Sequence, residues 1–163
     1  MEQAVAPQRG FSMIEAMIAV VIVGVLATLA VPGLLSTRVR EQVVESAPLI
    51  DVAKKQVNAF WTASGAMPRS NAEAGLPIPG KMVANYVKSV TVNDGVIEVV
   101  FGNNASGAIT NKLLTFRPAV VDDSPAVPIA WVCGHAPVPA NMTARGEDRT
   151  DLPSATLPVN CRS

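Results

Sequence analysis

The chain has 163 residues with 13 basic and 13 acidic side chains, so its formal net charge is zero. It contains no block of five like charges, and a neutral chain without such a block has no overall electrostatic attraction to nucleic acid or to an acidic membrane surface. The hydrophobic share is 49%, much of it in one stretch near the N-terminus, which leaves enough chain for one modest domain.

A long apolar stretch begins close to the N-terminus. Twenty residues from Ala16 to Leu35 carry no charge. In an α-helix they would reach about 30 Å, the thickness of the hydrocarbon core of a bilayer. Residues 11–35 are therefore predicted to form a membrane helix. Glu15 lies near its start, where a carboxylate costs up to about 2.5–3.5 kcal/mol. This cost favours a functional role for Glu15, the alternative being a carboxylate at the headgroup level with no partner.

The residues before this stretch differ from an ordinary secretory signal. Residues 1–10 are short and polar, the apolar stretch is about twice as long as the 7–15 residues of a signal core, and the small residue Gly10 precedes it. Cleavage after Gly10 would leave the helix attached to the chain. Arg9 on the leader side favours a cytoplasmic leader.

The junction itself resembles a known family. Residues 10–15, GFSMIE, followed by an apolar helix with Gly24 and Pro32, resemble the class III leader and N-terminal helix of type IV pilins and their pseudopilin relatives. The resemblance implies that 1–10 is a prepilin leader. It also implies that a prepilin peptidase cuts between Gly10 and Phe11 and N-methylates Phe11.

Three residues of this helix have expected roles in assembly. The Glu15 carboxylate can neutralise the α-amino group of Phe11 one helical turn away, or pair with that amine in the next subunit of a growing filament. Gly24 and Pro32 weaken the helix by about 1 and ~3 kcal/mol. One interpretation is local unwinding when subunits pack, and the alternative is a tolerated kink, since both residues are ordinary in membrane helices.

Beyond residue 35 the helical pattern becomes amphipathic over 36–64. Apolar residues recur with gaps of three and four at Val39, Val43, Ala47, Ile50, Ala53, Val57 and Phe60. Pro48 is expected to bend this helix without ending it, and Ser64-Gly65 is the predicted stop. An apolar stripe needs a cover, so a globular head over 36–163 is predicted to pack on it.

The head is predicted to contain a sheet. Residues 65–80 are rich in Pro, Gly, Ala, Ser and Asn and indicate a connecting loop. The sheet is predicted over 81–133, with strands at 86–92, 96–101, 112–117 and 128–133, the first two joined by an Asn-Asp-Gly turn typical of a hairpin. The predicted fold class is α+β, a long N-terminal helix packed against a four-stranded antiparallel sheet. The strand order resembles the globular half of type IVa pilins.

Cys133 and Cys161 are the only cysteines. In an exported domain they predict one disulfide and in a cytosolic domain two buried thiols; the membrane segment favours export. A bridge would close an irregular, proline-containing segment and contribute about 3–4 kcal/mol of stability. The family resemblance implies a disulfide-bounded C-terminal loop over 133–161 that makes subunit contacts and binds receptors or surfaces. It also makes Ser163 a candidate O-glycosylation acceptor.

Nothing in the sequence indicates catalysis. His135 is the only histidine and is predicted to be a surface residue, because a metal site would need further ligands. A Gly-rich phosphate loop, an HExxH motif and a GxSxG motif are all missing from the sequence. We therefore expect no enzyme, no metal and no cofactor.

The resemblance implies a structural subunit of a type IV pilus, similar to the type IVa major pilins. Such a subunit is held in the inner membrane of a Gram-negative bacterium before assembly. It then polymerises into an extracellular fibre that serves adhesion, twitching motility and DNA uptake. Its expected partners are other pilin subunits, the prepilin peptidase, the inner-membrane assembly machinery and a host or surface receptor. Binding of DNA itself is left open.

Two alternatives remain. A minor pilin or a type II secretion pseudopilin would share the helix, but pseudopilins of the main type commonly lack the disulfide-bounded end. A membrane-anchored periplasmic binding or enzymatic domain would never polymerise and would not need Glu15.

Overall fold

The computed structural model describes residues 12–122 and 124–163, and within 29–36 it describes the backbone alone. The chain divides into two compact units, Met1–Leu35 and Ser36–Ser163, the second of which is here named the head. Helix α1 (Met13–Glu45) begins in the first unit and ends in the head, and helix α2 (Ala47–Ser64) lies within the head.

The two helices are separated by a single residue, Ser46. Its backbone stays in the right-handed helical region, and its N–H and hydroxyl both donate to the Val43 carbonyl, at 3.2 and 2.5 Å. Pro48 has no N–H for the Val44 carbonyl, and a proline ring crowds the carbonyl four residues before it. The prediction that Pro48 bends the helix without ending it is therefore wrong, because regular hydrogen bonding stops at Glu45.

The buried stripe of the helices follows the predicted period with two corrections. Ala47 is exposed and Phe60 is only half-buried, whereas Ser46 and Trp61 are buried. The remaining five predicted positions are buried: Val39, Val43, Ile50, Ala53 and Val57. Both corrections are shifts of one residue, the first at the break and the second at the last turn of α2. The predicted stop is confirmed, since Gly65 has φ +68° and its N–H donates to the Trp61 carbonyl at 2.8 Å.

An antiparallel sheet packs on this stripe. Its strands are β1 (Val87–Asn93), β2 (Val96–Phe101), β3 (Leu113–Val120), β4 (Ala130–Cys133) and β5 (Thr143–Ala144). The first four, in the order β1-β2-β3-β4, are the strands that the sequence predicts, and β5 is a short addition paired with β3. Asp94 and Gly95 both have positive φ, as the predicted two-residue hairpin turn requires.

Strand β3 brings the C-terminal region into the sheet. Its residue Ala119 pairs with Ala130 of β4 and with Ala144 of β5, so β4 and β5 lie along opposite edges. Nearer the start of β3, the Asp151 N–H donates to the Leu113 carbonyl at 3.1 Å. Much of the backbone after Cys133 is therefore held by the central strand, although the sequence predicts an irregular segment there.

The connecting loop is fixed to the other side of the sheet, at strand β1. Asn71 is only 4% exposed. Its side-chain amide donates to the carbonyls of Pro77 and Val90, at 2.9 and 3.0 Å, and its Oδ1 accepts the Val92 N–H at 2.6 Å. One buried side chain thus joins the loop to the edge of β1, and the loop ends in a 3-10 helix at Pro79–Lys81.

Candidate functional site

The N-terminal part of α1 is apolar on every side. All residues from 12 to 28 are exposed, and their large hydrophobic side chains range from 53% exposed at Ile22 to 81% at Met13. A helix at the surface of a globular protein has one polar face, whereas this segment has none. A continuous apolar surface of this kind marks an interaction site.

Among the helices in the part of the chain that the structure describes, none combines the length and the hydropathy that a membrane crossing requires.

Glu15 is the one charged residue between positions 12 and 35. It lies exposed in the first turn of α1, where the Ala16 N–H donates to the Ser12 carbonyl at 3.1 Å. A carboxylate at a helix N-terminus is favoured by the partial positive charge of the free backbone N–H groups. Gly10 and the expected partner Phe11 lie outside the described residues, so the cleavage site, the methylation and the pairing stay predictions.

Helix α1 has helical backbone at both Gly24 and Pro32. A Cβ atom built on Gly24 would meet nothing within 4 Å, so packing within the chain does not require a glycine there. The predicted unwinding concerns subunits packed in a fibre, and it stays a prediction.

The disulfide predicted from the two cysteines is present. Cys133 and Cys161 are bonded with their Cα atoms 4.6 Å apart, and both are buried. Gly134 follows with φ +51°, and a Cβ at this position would lie 3.0 Å from the Cys161 carbonyl oxygen. The His135 N–H donates to that same oxygen at 3.1 Å. The end of the chain therefore closes tightly against the end of β4.

His135 is exposed, as predicted, and its ring is in hydrogen-bond contact with a carboxylate. Its Nδ1 lies 2.6 Å from Oδ2 of Asp148, whose Oδ1 accepts the Thr150 N–H at 3.0 Å. The Thr150 hydroxyl in turn accepts the Thr115 N–H at 3.1 Å. This chain of contacts ties the middle of the C-terminal loop to β3. Sequence reasoning missed it because the partners are far apart along the chain and have no shared period.

Two arginines anchor the same loop. Arg149 Nη1 lies 2.7 Å from Glu98 Oε1 on β2, and the Arg145 guanidinium lies 5.6 Å from the centre of the Trp61 ring on α2. Within the described residues, no group of three His, Cys, Asp or Glu side chains is placed to hold a metal ion. The Arg149 and Arg145 contacts hold the loop against β2 and α2.

The pKa of Asp148 predicts how the loop responds to acid. Burial acts to raise the pKa of this carboxyl, but hydrogen bonds from Thr150 and the contact with His135 outweigh it, so the pKa lies below its ordinary value. A carboxyl with a lower pKa in the folded state stabilises the fold above its unfolded pKa of about 3.9, and this contribution is lost as the pH falls through the folded value.

We therefore expect Asp148→Asn to lower the melting temperature at pH 7 and to flatten its decline below about pH 4. Thermal unfolding followed by circular dichroism between pH 7 and pH 2 measures both effects. Glu147→Gln, a change of the exposed neighbouring carboxylate, is the control. Equal acid sensitivity of Asp148→Asn and the unmodified chain would contradict the assignment.

The sequence matches two family models and is similar to several known proteins. Residues 39–162 match the family model described as pilin (bacterial filament), and residues 6–31 match the prokaryotic N-terminal methylation motif. A type IV major pilin protein of Neisseria gonorrhoeae is 33% identical, over 95% of this chain and 87% of that protein. A fimbrial protein of Neisseria meningitidis serogroup A is 32% identical, over 95% of this chain and 94% of that protein. A type IV major fimbrial protein of Dichelobacter nodosus is 31% identical, over 67% of this chain and 81% of that protein.

Proposed function

Because the chain belongs to the type IV pilin family and is a structural pilus subunit, we propose that it is a major pilin, cleaved after Gly10, methylated at Phe11 and polymerised into an extracellular fibre. The observation that carries this proposal is the segment 12–28, which is exposed and apolar on all sides. One chain by itself cannot cover such a surface, whereas a bundle of the same helix from many copies can.

The membrane and the fibre provide two successive environments for this helix. Before assembly, residues 11–35 lie in the inner membrane, where the apolar surface contacts lipid. After assembly, the same surface contacts neighbouring subunits, and Glu15 pairs with the Phe11 amine of the adjacent copy. A carboxylate and an amine that neutralise each other in an apolar environment would set the register between subunits.

The head supplies the surface of the fibre. The C-terminal loop between Cys133 and Cys161 carries exposed charged residues anchored to the sheet, and Ser163 is exposed at the end of the chain. We assign to this loop contacts with receptors or surfaces, and to Ser163 a candidate glycan. Adhesion, twitching motility and DNA uptake would be properties of the whole fibre, which the prepilin peptidase and the inner-membrane assembly machinery of a Gram-negative cell would build.

Two observations favour a major pilin over its rivals. The relatives from Neisseria and Dichelobacter are named as major pilins or fimbrial proteins, and the matches to the two Neisseria proteins cover 95% of this chain, which includes most of the head. The disulfide-bounded end is common in pilins and commonly missing from pseudopilins of the main type. A minor pilin would share these features and differ in abundance within fibres.

Intact mass spectrometry of protein sheared from the cell surface tests the proposal. We expect an abundant species that begins at Phe11, carries one added methyl group and lacks the two hydrogens lost in the disulfide. A glycan at Ser163 would add its own mass, and Ser163→Ala would remove it. A chain that retains residues 1–10, or that is found in membranes and never in fibres, would contradict the proposal.

A further inference from the structure

An open apolar groove lies in the head, where the helices, strand β3 and the C-terminal segment meet. Its volume is about 230 Å³, enough for a small aliphatic molecule. The apolar part of its lining includes Val43, Ala47, Ile50, Leu114 and Phe116. Among the described residues that line it, Asp51 and Lys54 are the charged ones. This cavity is named the Lys54 groove, and its ionisable groups are one amine and one carboxylate.

The amine of Lys54 is held inside this groove. The Lys54 side chain is 24% exposed, and its Nζ lies 4.6 Å from the centre of the Phe116 ring, within the range of a cation–π contact. Burial lowers the pKa of the Lys54 amine below its ordinary value, although the Asp51 carboxylate acts in the opposite direction. A larger share of this amine than of an ordinary lysine amine is therefore neutral at neutral pH.

A neutral amine in an apolar pocket is suited to Schiff-base formation with a carbonyl compound. The nitrogen lone pair forms a C–N bond to the carbonyl carbon, and the carbonyl oxygen takes up the two protons that leave the nitrogen. Water departs as the C=N bond forms. Asp51 Oδ1 lies 3.9 Å from Lys54 Nζ, near enough to pass a proton through one water molecule. The apolar lining favours a carbonyl compound whose other atoms are aliphatic.

We propose that Lys54 is a carbonyl-binding site, at which its amine condenses with a short aliphatic aldehyde whose carbon chain lies in the Lys54 groove. The Phe116 ring positions the amine, and Cys161, held by the disulfide, forms part of the groove wall. The adduct is reversible, because water hydrolyses an imine by the same steps in reverse. This property of the head is separate from cleavage of the leader and from polymerisation.

Reductive trapping of the imine tests the site. The full chain in detergent is treated at pH 7 with butanal and cyanoborohydride, which reduces an imine to a stable secondary amine. Peptide mass spectrometry with fragmentation then measures the rate of alkylation at each lysine. We expect Lys54 to react about tenfold faster than its exposed neighbour Lys55, because the Lys54 amine is desolvated and faces the groove. Equal rates at the two positions would overturn the proposal.

Unfolding provides a matched control within the same chain. In concentrated urea with a reductant, Lys54 and Lys55 should react at similar rates, because both amines are then solvated. A preference for Lys54 that persists in the unfolded chain would overturn the proposal, since the local sequence and not the groove would be its cause. Because the two lysines are compared within the unmodified chain, this test does not depend on the folding of any variant.

The chemical class of the ligand is tested with a second aldehyde. Glyceraldehyde carries hydroxyl groups, which lose their hydrogen bonds to water in an apolar groove. We therefore expect its preference for Lys54 over Lys55 in the folded chain to be smaller than that of butanal. An equal preference for the two aldehydes would overturn the assignment of an aliphatic ligand.

Filling the groove tests its part in the reaction. Ala47→Leu enlarges a side chain of the lining and should slow alkylation of Lys54 by butanal without changing the rate at Lys55. Ala59→Leu makes the same change at an exposed position of α2 that does not line the Lys54 groove, and should leave both rates unchanged. Circular dichroism checks that both variants are folded. An unchanged rate at Lys54 in folded Ala47→Leu would overturn the proposal and leave the pilin function standing.

Discussion

Replacing Glu15 with valine is expected to abolish fibres while the precursor still accumulates in the membrane. Glu15 is the one carboxylate in an otherwise uncharged helix segment, and it lies in the first turn of α1. Without it, the Phe11 amine of a neighbouring subunit would be left without its partner in an apolar bundle. Removing one partner of a buried ion pair costs about 3–5 kcal/mol. For each contact between subunits, this cost lowers the association constant roughly a hundredfold to a thousandfold or more.

The measurement compares sheared surface fractions with membrane fractions by quantitative immunoblot. Glu147→Val removes an exposed carboxylate from the C-terminal loop and should leave fibres intact. Glu15→Asp keeps the charge on a shorter side chain and should give an intermediate yield. Normal fibres from Glu15→Val would disprove the pairing. In a non-polymerising membrane anchor, the same substitution would leave both localisation and function unchanged.

Removing the disulfide is expected to have the second largest effect, this time on the stability of the head. The cysteines are 28 residues apart in sequence, and closing a loop of this length contributes about 3–4 kcal/mol in the chain-entropy model. The double substitution Cys133→Ala with Cys161→Ala should therefore lower the melting temperature by about 10 °C or more. The strand β5 and the pairing of Asp151 with β3 would persist, so the head should weaken without losing its sheet.

Thermal unfolding of the detergent-solubilised full chain, followed by circular dichroism, measures this change. Addition of a reductant to the unmodified chain should produce a similar shift, whereas the double variant should not respond to reductant. Ser163→Ala changes the C-terminus without touching the bridge and serves as the control. Equal melting temperatures with and without the bridge would show that contacts in the folded loop, rather than the covalent closure, hold the C-terminus.

The C-terminal loop is held both by a covalent bond and by polar contacts between side chains. The disulfide closes it, and the pairs His135–Asp148 and Arg149–Glu98 then set where its charged side chains lie on the sheet. Gly146 adds a steric requirement, because it has φ +80° and a Cβ there would overlap the Val96 side chain. We therefore expect substitutions at the exposed loop positions, away from these anchoring residues, to leave the head folded.

Features encoded by local spacing were predictable from the sequence. The helical stripe, the Asn-Asp-Gly hairpin and the stop at Gly65 each depend on residues within one or two turns of each other, so their patterns survive in the linear chain. The cysteine pair was predictable because the chain has no other cysteine with which either could bond. The junction at 10–15 was recognised as a family motif, which is a match of residue types at fixed spacing.

The tertiary structure decided what depends on distant partners. Burial of Ser46 and Trp61 in place of Ala47 and Phe60 follows from the break between the helices and from the sheet packed on α2. Strand β5, the Asn71 amide bonded to β1 and the His135–Asp148 pair join residues that no local period connects. A periodic pattern indicates which face of a helix or strand is buried. It does not indicate which distant side chain packs against that face. The sequence therefore determined the helices, the four main strands and the N-terminal motif of this pilin, and the tertiary structure determined strand β5, the Asn71 contacts and the anchoring of the C-terminal loop.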